Sequence, residues 1–157
     1  MSLAQDLLIR ARAAKATVTC AESCTGGMVA AAITDVAGSS DIFERGFVTY
    51  SNTAKQEMLG VQAATLNAFG AVSEETAHEM AVGARKAARA TLAVAISGIA
   101  GPGGSEFKPE GRVCFALASD QGTIGETIDF GALGRDAVRQ AARDHALDLL
   151  LRNLPAE

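Results

Sequence analysis

"ESCTGG", residues 22–27, sets a carboxylate, two hydroxyls and a thiol beside a pair of glycines. Three chemistries fit such a stretch. Ser23 can act as an acyl-transfer nucleophile and Cys24 as a thiolate nucleophile. The amides of a glycine turn entering a helix can face an anion or a developing oxyanion. Patterns that would single one out are missing. Neither G-x-x-x-x-G-K-[ST] nor G-x-G-x-x-G occurs, which weighs against a triphosphate or a dinucleotide, and G-x-S-x-G is absent too. A thiolate mechanism wants a base, usually His, and the two histidines, His78 and His145, fall in ordinary amphipathic stretches. The plainer alternative is that Ser23 or Thr25 caps the helix, Gly26 and Gly27 shape its start, and Cys20 and Cys24 pack in a core.

Three further clusters carry chemistry. In "TYSNTAK", residues 49–55, Tyr50 and Lys55 bracket the start of a short helix. A desolvated lysine can accept a proton near neutrality, and Ser–Lys pairs are an alternative to Ser–His–Asp. An exposed lysine beside a packed tyrosine explains the same spacing. In "ISGIAGPGG", residues 96–104, a buried strand runs into a glycine-rich loop, the place where open α/β sheets bind ligands, so Ser97 and Gly98 are candidates. In "GRDAVRQAAR", residues 134–143, Arg135 and Arg139 stand near a helix start. Cations there oppose the helix dipole, a misfit that an anionic ligand would relieve and that Asp136 or solvent could also relieve.

The elements that must position these groups follow from periodicity. Apolar residues at helical spacing predict helices over 4–16, 25–36, 52–60, 63–70 and 74–89, and a last one from about 135. Val138, Ala142, Ala146 and Leu149 mark the buried face of that last helix. β-branched and apolar runs predict strands over 16–21, 43–51, 91–97, 112–119 and 122–131, the last two as a hairpin. A Gly/Pro loop of 14 residues spans 98–111. Helices alternate with strands early and two strands adjoin late, which predicts a single domain over 1–157, a three-layer α/β/α sandwich on a mixed β-sheet.

Composition narrows the partner. Net charge is −4 and no Lys/Arg-rich run occurs; there is one Tyr and no Trp. That excludes the usual footprint and stacking platform of a nucleic-acid binder, so no nucleic acid is expected. No apolar run is long enough to span a bilayer, and no membrane partner is expected. Three cysteines (Cys20, Cys24, Cys114) in a chain without secretory features argue for reduced thiols and a cytoplasmic location. Zinc usually wants four ligands, which three Cys and two His would supply only by chance. Neither a metal nor a cofactor is expected.

Six ordered blocks, "AESCTGG", "GSSDIFERGFVTYSNTAKQEMLGV", "GAVSEETAHEMA", "ISGIAGPGG", "KPEGRV" and "GRDAVR", together resemble the CinA C-terminal domain family. The resemblance runs from about residue 4 to 151. It implies a homo-oligomeric α/β/α sandwich, and for the stand-alone form a metal-independent serine amidohydrolase. The implied substrate is nicotinamide mononucleotide (NMN), hydrolysed to nicotinic acid mononucleotide and ammonia in NAD recycling. Matched block by block, the resemblance gives Ser23 as nucleophile, Lys55 as base, and Tyr50 as a proton relay hydrogen-bonded to Lys55. Ser40 matches a second candidate serine and Ser97 a loop position of the site. Glu22, Thr25, Gly26, Gly27 and Gly98 fall in the matching blocks, and Arg135 and Arg139 are assigned to the 5′-phosphate. Two departures stand out: the loop "GPGGSEFKPEG" is one residue shorter than the common form, and "LGRDAVR" lacks an Asp or Asn before the arginine. The alternatives are an amidohydrolase on a related pyridine nucleotide, or a non-catalytic nucleotide-binding protein of the competence or DNA-damage response.

Overall fold

A computed structural model describes residues 1–105 and 107–156; Glu106, in the Gly/Pro loop, and Glu157 lie outside the described residues. Five strands form one mixed sheet: β1 Val18–Glu22, β2 Phe47–Val48, β3 Leu92–Gly98, β4 Arg112–Ser119 and β5 Gly122–Asp129, in the order β2-β1-β3-β4-β5. β1 runs parallel to both β2 and β3, while β4 and β5 are antiparallel additions. The helices are α1 Leu3–Ala14, α2 Met28–Thr34, α3 Asn52–Leu59, α4 Ala63–Phe69, α5 Glu74–Ala88 and α6 Arg135–Arg152.

Period-two alternation divides the central strands into two unlike faces. Leu92, Val94 and Ile96 of β3 join Val113, Phe115 and Leu117 of β4 beneath α1, α2 and α6. Ala93, Ala95, Cys114, Ala116 and Ala118 face the other way, against Ala77, Met80, Ala81 and Ala84 of α5. Bulky side chains fill one interlayer space, and small ones let α5 lie close to the sheet on the other. The tight layer extends to α3: a Cβ on Gly83 of α5 would stand 2.0 Å from the Leu59 carbonyl oxygen. These are the expected three layers on a mixed sheet.

Local signals set most boundaries. Ser73 caps α5 by accepting from the Thr76 amide, and Gly60 ends α3 in the left-handed region (φ 73°). α6 buries Val138, Ala142, Ala146 and Leu149, the expected face. One element differs. The strand expected over 43–51 pairs with β1 only at Phe47 and Val48. The Arg45 carbonyl accepts instead from the Thr19 hydroxyl, at 2.7 Å. A Cβ on Gly46 would meet Cys20 Sγ at 2.8 Å, so the chain here packs too close to β1 for a side chain.

The parallel strands point their carboxyl ends the same way. Ser23 leaves β1 and the glycine loop leaves β3 at that one edge, where open α/β sheets place ligands.

Candidate active site

Lys55 lies in α3, yet it is 1% exposed and reaches across to the end of β1. Ser51 starts the helix, its hydroxyl accepting from the Ala54 amide, and that start turns Lys55 inward. The Lys55 Nζ stands 3.0 Å from Ser23 Oγ. It also donates to the Thr49 carbonyl at 2.9 Å and, more weakly, to the Tyr50 carbonyl at 3.4 Å. Ser23 is held at its own amide, which donates to Ile96 O of β3 at 2.9 Å. A hydroxyl and an amine that are 32 positions apart thus meet out of bulk water.

A cleft of about 340 Å³ opens over this pair. Ser23, Tyr50, Lys55, Ser97, Gly98 and Arg135 of the expected residues line it, and this is a size that suits a small ligand. Arg135 sits at the rim, donating to Gly101 O at 2.8 Å and to the Tyr50 hydroxyl at 2.9 Å. The expected Tyr50–Lys55 contact therefore runs through the Tyr50 main chain. The phenol, in a residue 62% exposed, belongs to Arg135 and is not bonded to the amine. Ser97 Oγ donates to Ala71 O at 2.7 Å, which ties β3 to the segment before α5. Gly98 lines the cleft for a second reason besides access: a Cβ there would meet Arg112 O at 2.8 Å.

Several expected ligand residues serve the turn instead. Glu22 is fully buried. One carboxylate oxygen accepts from Thr25 Oγ1 at 2.7 Å and the Val29 amide at 2.9 Å; the other accepts from the Ala30 amide at 3.0 Å. The anion at the start of α2 is thus the chain's own. Neither Glu22 nor Thr25, also fully buried, has an edge to offer a ligand. Gly26 (φ 57°) and Gly27 (φ 109°) carry the turn through left-handed backbone. Arg139 is directed at the same turn, its Nε donating to Cys24 O at 3.1 Å and an Nη to Thr25 O at 3.3 Å. Ser40 is misplaced for this cleft within one chain. It lies in a 3₁₀ turn, Ser39–Asp41, and the next residue, Ile42, accepts from the Val18 amide at the opposite end of β1.

The rival nucleophile is disfavoured. Cys24 lines the cleft, but burial, partly offset by backbone amides and the Arg139 charge, pushes its thiol up to about 11. Cys20 is also raised, by burial first and then by Glu22. No histidine is among the described residues lining the cleft; His145 is bonded to Glu126 on β5, and His78 is exposed on α5. Sequence reasoning missed Ser105, Ala71 and Val72 and gave no role to Asn52, all of which line the cleft. The Lys108 ammonium, donating to Phe69 O at 2.7 Å and also to Val72 O, brings the glycine loop to the α4–α5 connection. No local pattern in the sequence announces that contact.

Comparison with known proteins identifies the family. The model of the family described as "CinA C-terminal domain" matches residues 1–154. The chain is 56% identical, over 96% of its length and 92% of the relative's, to "Nicotinamide-nucleotide amidohydrolase PncC" of Escherichia coli strain K12. It is 49% identical to a "CinA-like protein" of Shewanella loihica, covering 98% of this chain but 36% of that longer protein. Among solved structures, the competence/damage inducible protein CihA from Agrobacterium tumefaciens superposes with a TM-score of 0.92 at 46% identity, covering 96% and 92% of the two chains. The competence damage-inducible protein A from Klebsiella pneumoniae gives 0.93 at 37% identity, covering 97% and 94%.

Proposed function

This chain belongs to the CinA C-terminal domain family, and we propose that it is an amidohydrolase that cleaves the carboxamide of nicotinamide mononucleotide, with Ser23 as nucleophile and Lys55 as its base. The products are nicotinic acid mononucleotide and ammonia. The observation that carries the chemistry is the 3.0 Å approach of a buried lysine amine to a serine hydroxyl in the wall of a cleft. The substrate class rests on the amidohydrolase of Escherichia coli named above, which matches nearly end to end. Residues 1–157 are read as one catalytic module.

The pair works with Lys55 neutral. Withdrawing an amine from water disfavours its charged form. The Thr49 and Tyr50 carbonyls can only accept, and each takes an N–H from Lys55. In this mechanism the amine lone pair faces the Ser23 hydroxyl, 3.0 Å away. As Ser23 Oγ bonds the carboxamide carbon, its proton passes to Lys55. Lys55 then gives that proton to the amide nitrogen while the C–N bond breaks and ammonia leaves. Water attacks the resulting ester; its proton travels through Lys55 to Ser23 Oγ, and the acid is released. Within the turn, the Ser23 and Gly26 amides are already spent on Ile96 O and Ser23 O. The Cys24 amide, next to the nucleophile, is assigned to the oxyanion. Arg135, at the rim, is assigned to the 5′-phosphate.

Ammonia release from NMN by the purified chain tests the reading, with folded Ser23→Ala as the control. We expect turnover by the wild type and its collapse in the variant. A wild type that releases no ammonia would refute the substrate, and a folded Ser23→Ala near the wild-type rate would refute the nucleophile.

A further inference from the structure

The turn that presents Ser23 is gripped from two sides by opposite charges, and neither charge lines the cleft. On the inner side, the buried Glu22 carboxylate collects the Thr25 hydroxyl and the first amides of α2, at Val29 and Ala30. That closes the segment between β1 and α2 into a ring around one anion. The Glu22 carbonyl also accepts from the Thr49 amide at 2.9 Å. The neighbouring Thr49 carbonyl accepts from Lys55. One residue thus ties together the turn that bears the nucleophile and the segment that holds its base.

On the outer side, Arg139 of α6 takes two successive carbonyls, those of Cys24 and Thr25. A trans peptide sets its N–H opposite its carbonyl, so this hold also fixes the Thr25 and Gly26 amides away from α6. The Gly26 amide duly reaches back to Ser23 O at 3.0 Å and closes the turn. The guanidinium packs so close that a Cβ on Gly26 would stand 3.4 Å from it. An arginine committed to two main-chain carbonyls has little of its fork left for a phosphate.

Resting on the serine mechanism above, we propose that Glu22 and Arg139 are positioning residues that lock the 23–27 turn so that Ser23 Oγ stays at the Lys55 amine, and that neither is a substrate ligand. Arg135 alone of the two arginines faces the cleft. The two roles separate kinetically. Loss of a phosphate ligand raises KM, whereas loss of alignment lowers kcat with KM retained.

Arg139→Met keeps the side-chain stem and removes the donors. We expect a folded protein whose kcat on NMN falls about 10- to 100-fold, the scale on which a misplaced nucleophile loses rate, with KM within about 3-fold of wild type. Arg139→Lys, able to reach one carbonyl, recovers part of kcat. Arg135→Ala gives the opposite pattern, with a raised KM. The second readout needs no substrate phosphate: the rate at which a fluorophosphonate labels Ser23, which should slow in Arg139→Met by a similar factor. Glu22→Gln sets an NH₂ group against the Val29 or Ala30 amide and should slow labelling in the same way; if it does not fold, Arg139→Met decides.

An Arg139→Met protein with a raised KM and unchanged kcat, or with an unchanged labelling rate, overturns the proposal. Were the wild type labelled at Ser23 but inactive on NMN, the substrate would be wrong and the labelling rates would still judge the positioning role. A wild type neither labelled nor active overturns both.

Discussion

Replacing Lys55 by methionine separates catalysis from stability. Methionine has a similar length and no charge, and the site is 1% exposed, so it fits an apolar space without opening a large cavity. Two terms oppose each other in stability. The Thr49 carbonyl and the Ser23 hydroxyl each lose a close partner, at about 1–3 kcal/mol for each polar group left buried and unpaired. Against this, the chain no longer has to desolvate an amine, and burying a polar group costs about 1–3 kcal/mol. The terms are of one size, so the unfolding free energy should move little, within about 2 kcal/mol. Catalysis has no such compensation. A positioned acid–base group supplies roughly 10²- to 10⁴-fold, or about 3–5 kcal/mol of barrier. Initial rates of ammonia release, run beside urea unfolding on the same preparations, read both quantities. A folded Lys55→Met protein within tenfold of the wild-type kcat would refute Lys55 as the base. One that loses more than about 4 kcal/mol of stability would refute the cancellation.

Two further outcomes follow from buried groups near the site. Thr49 Oγ1 has no hydrogen-bond partner among the described residues although the residue is fully buried. Thr49→Val should therefore leave stability unchanged or raise it by about 1–2 kcal/mol, since an unpaired buried hydroxyl costs about that much; loss of stability in urea unfolding would show that the hydroxyl has a partner. Cys24, held at about 11 in the folded chain against an ordinary value of 9.0, keeps its proton to higher pH when folded than when unfolded. Its contribution is complete below pH 9 and is lost as pH rises through 11, about 3 kcal/mol in all. Cys24→Ala should flatten the fall of unfolding free energy across that window, and an identical slope in both proteins would refute the assignment.

Apolar runs and helical periodicity placed the strands and helices, and their order along the chain gave the layers, because such patterns are local properties of a strand or helix and need no partner to be recognised. They also placed the face of α6, which depends on neighbours three or four positions away. The short β2 escaped them. Its length is decided by Thr19 and Cys20 on another strand, which take the Arg45 carbonyl and crowd Gly46.

At the site the same division holds. The residue types in "AESCTGG" and "TYSNTAK" showed which chemistries were available, and the choice of Ser23 with Lys55 among them came from the resemblance to the CinA C-terminal domain family. Side-chain direction was not available locally. Glu22, Arg135, Tyr50 and Arg139 all have polar ends that suit a nucleotide. Only the fold spends Glu22 on α2, turns Arg139 onto the turn, and sets Arg135 and the Tyr50 phenol at the rim. Ser40, a hydroxyl as good as Ser23 on paper, lies the length of β1 away from this cleft within one chain. A polar group's role depends on which partner satisfies it, and those partners come from parts of the chain that only the packed sheet and helices bring together.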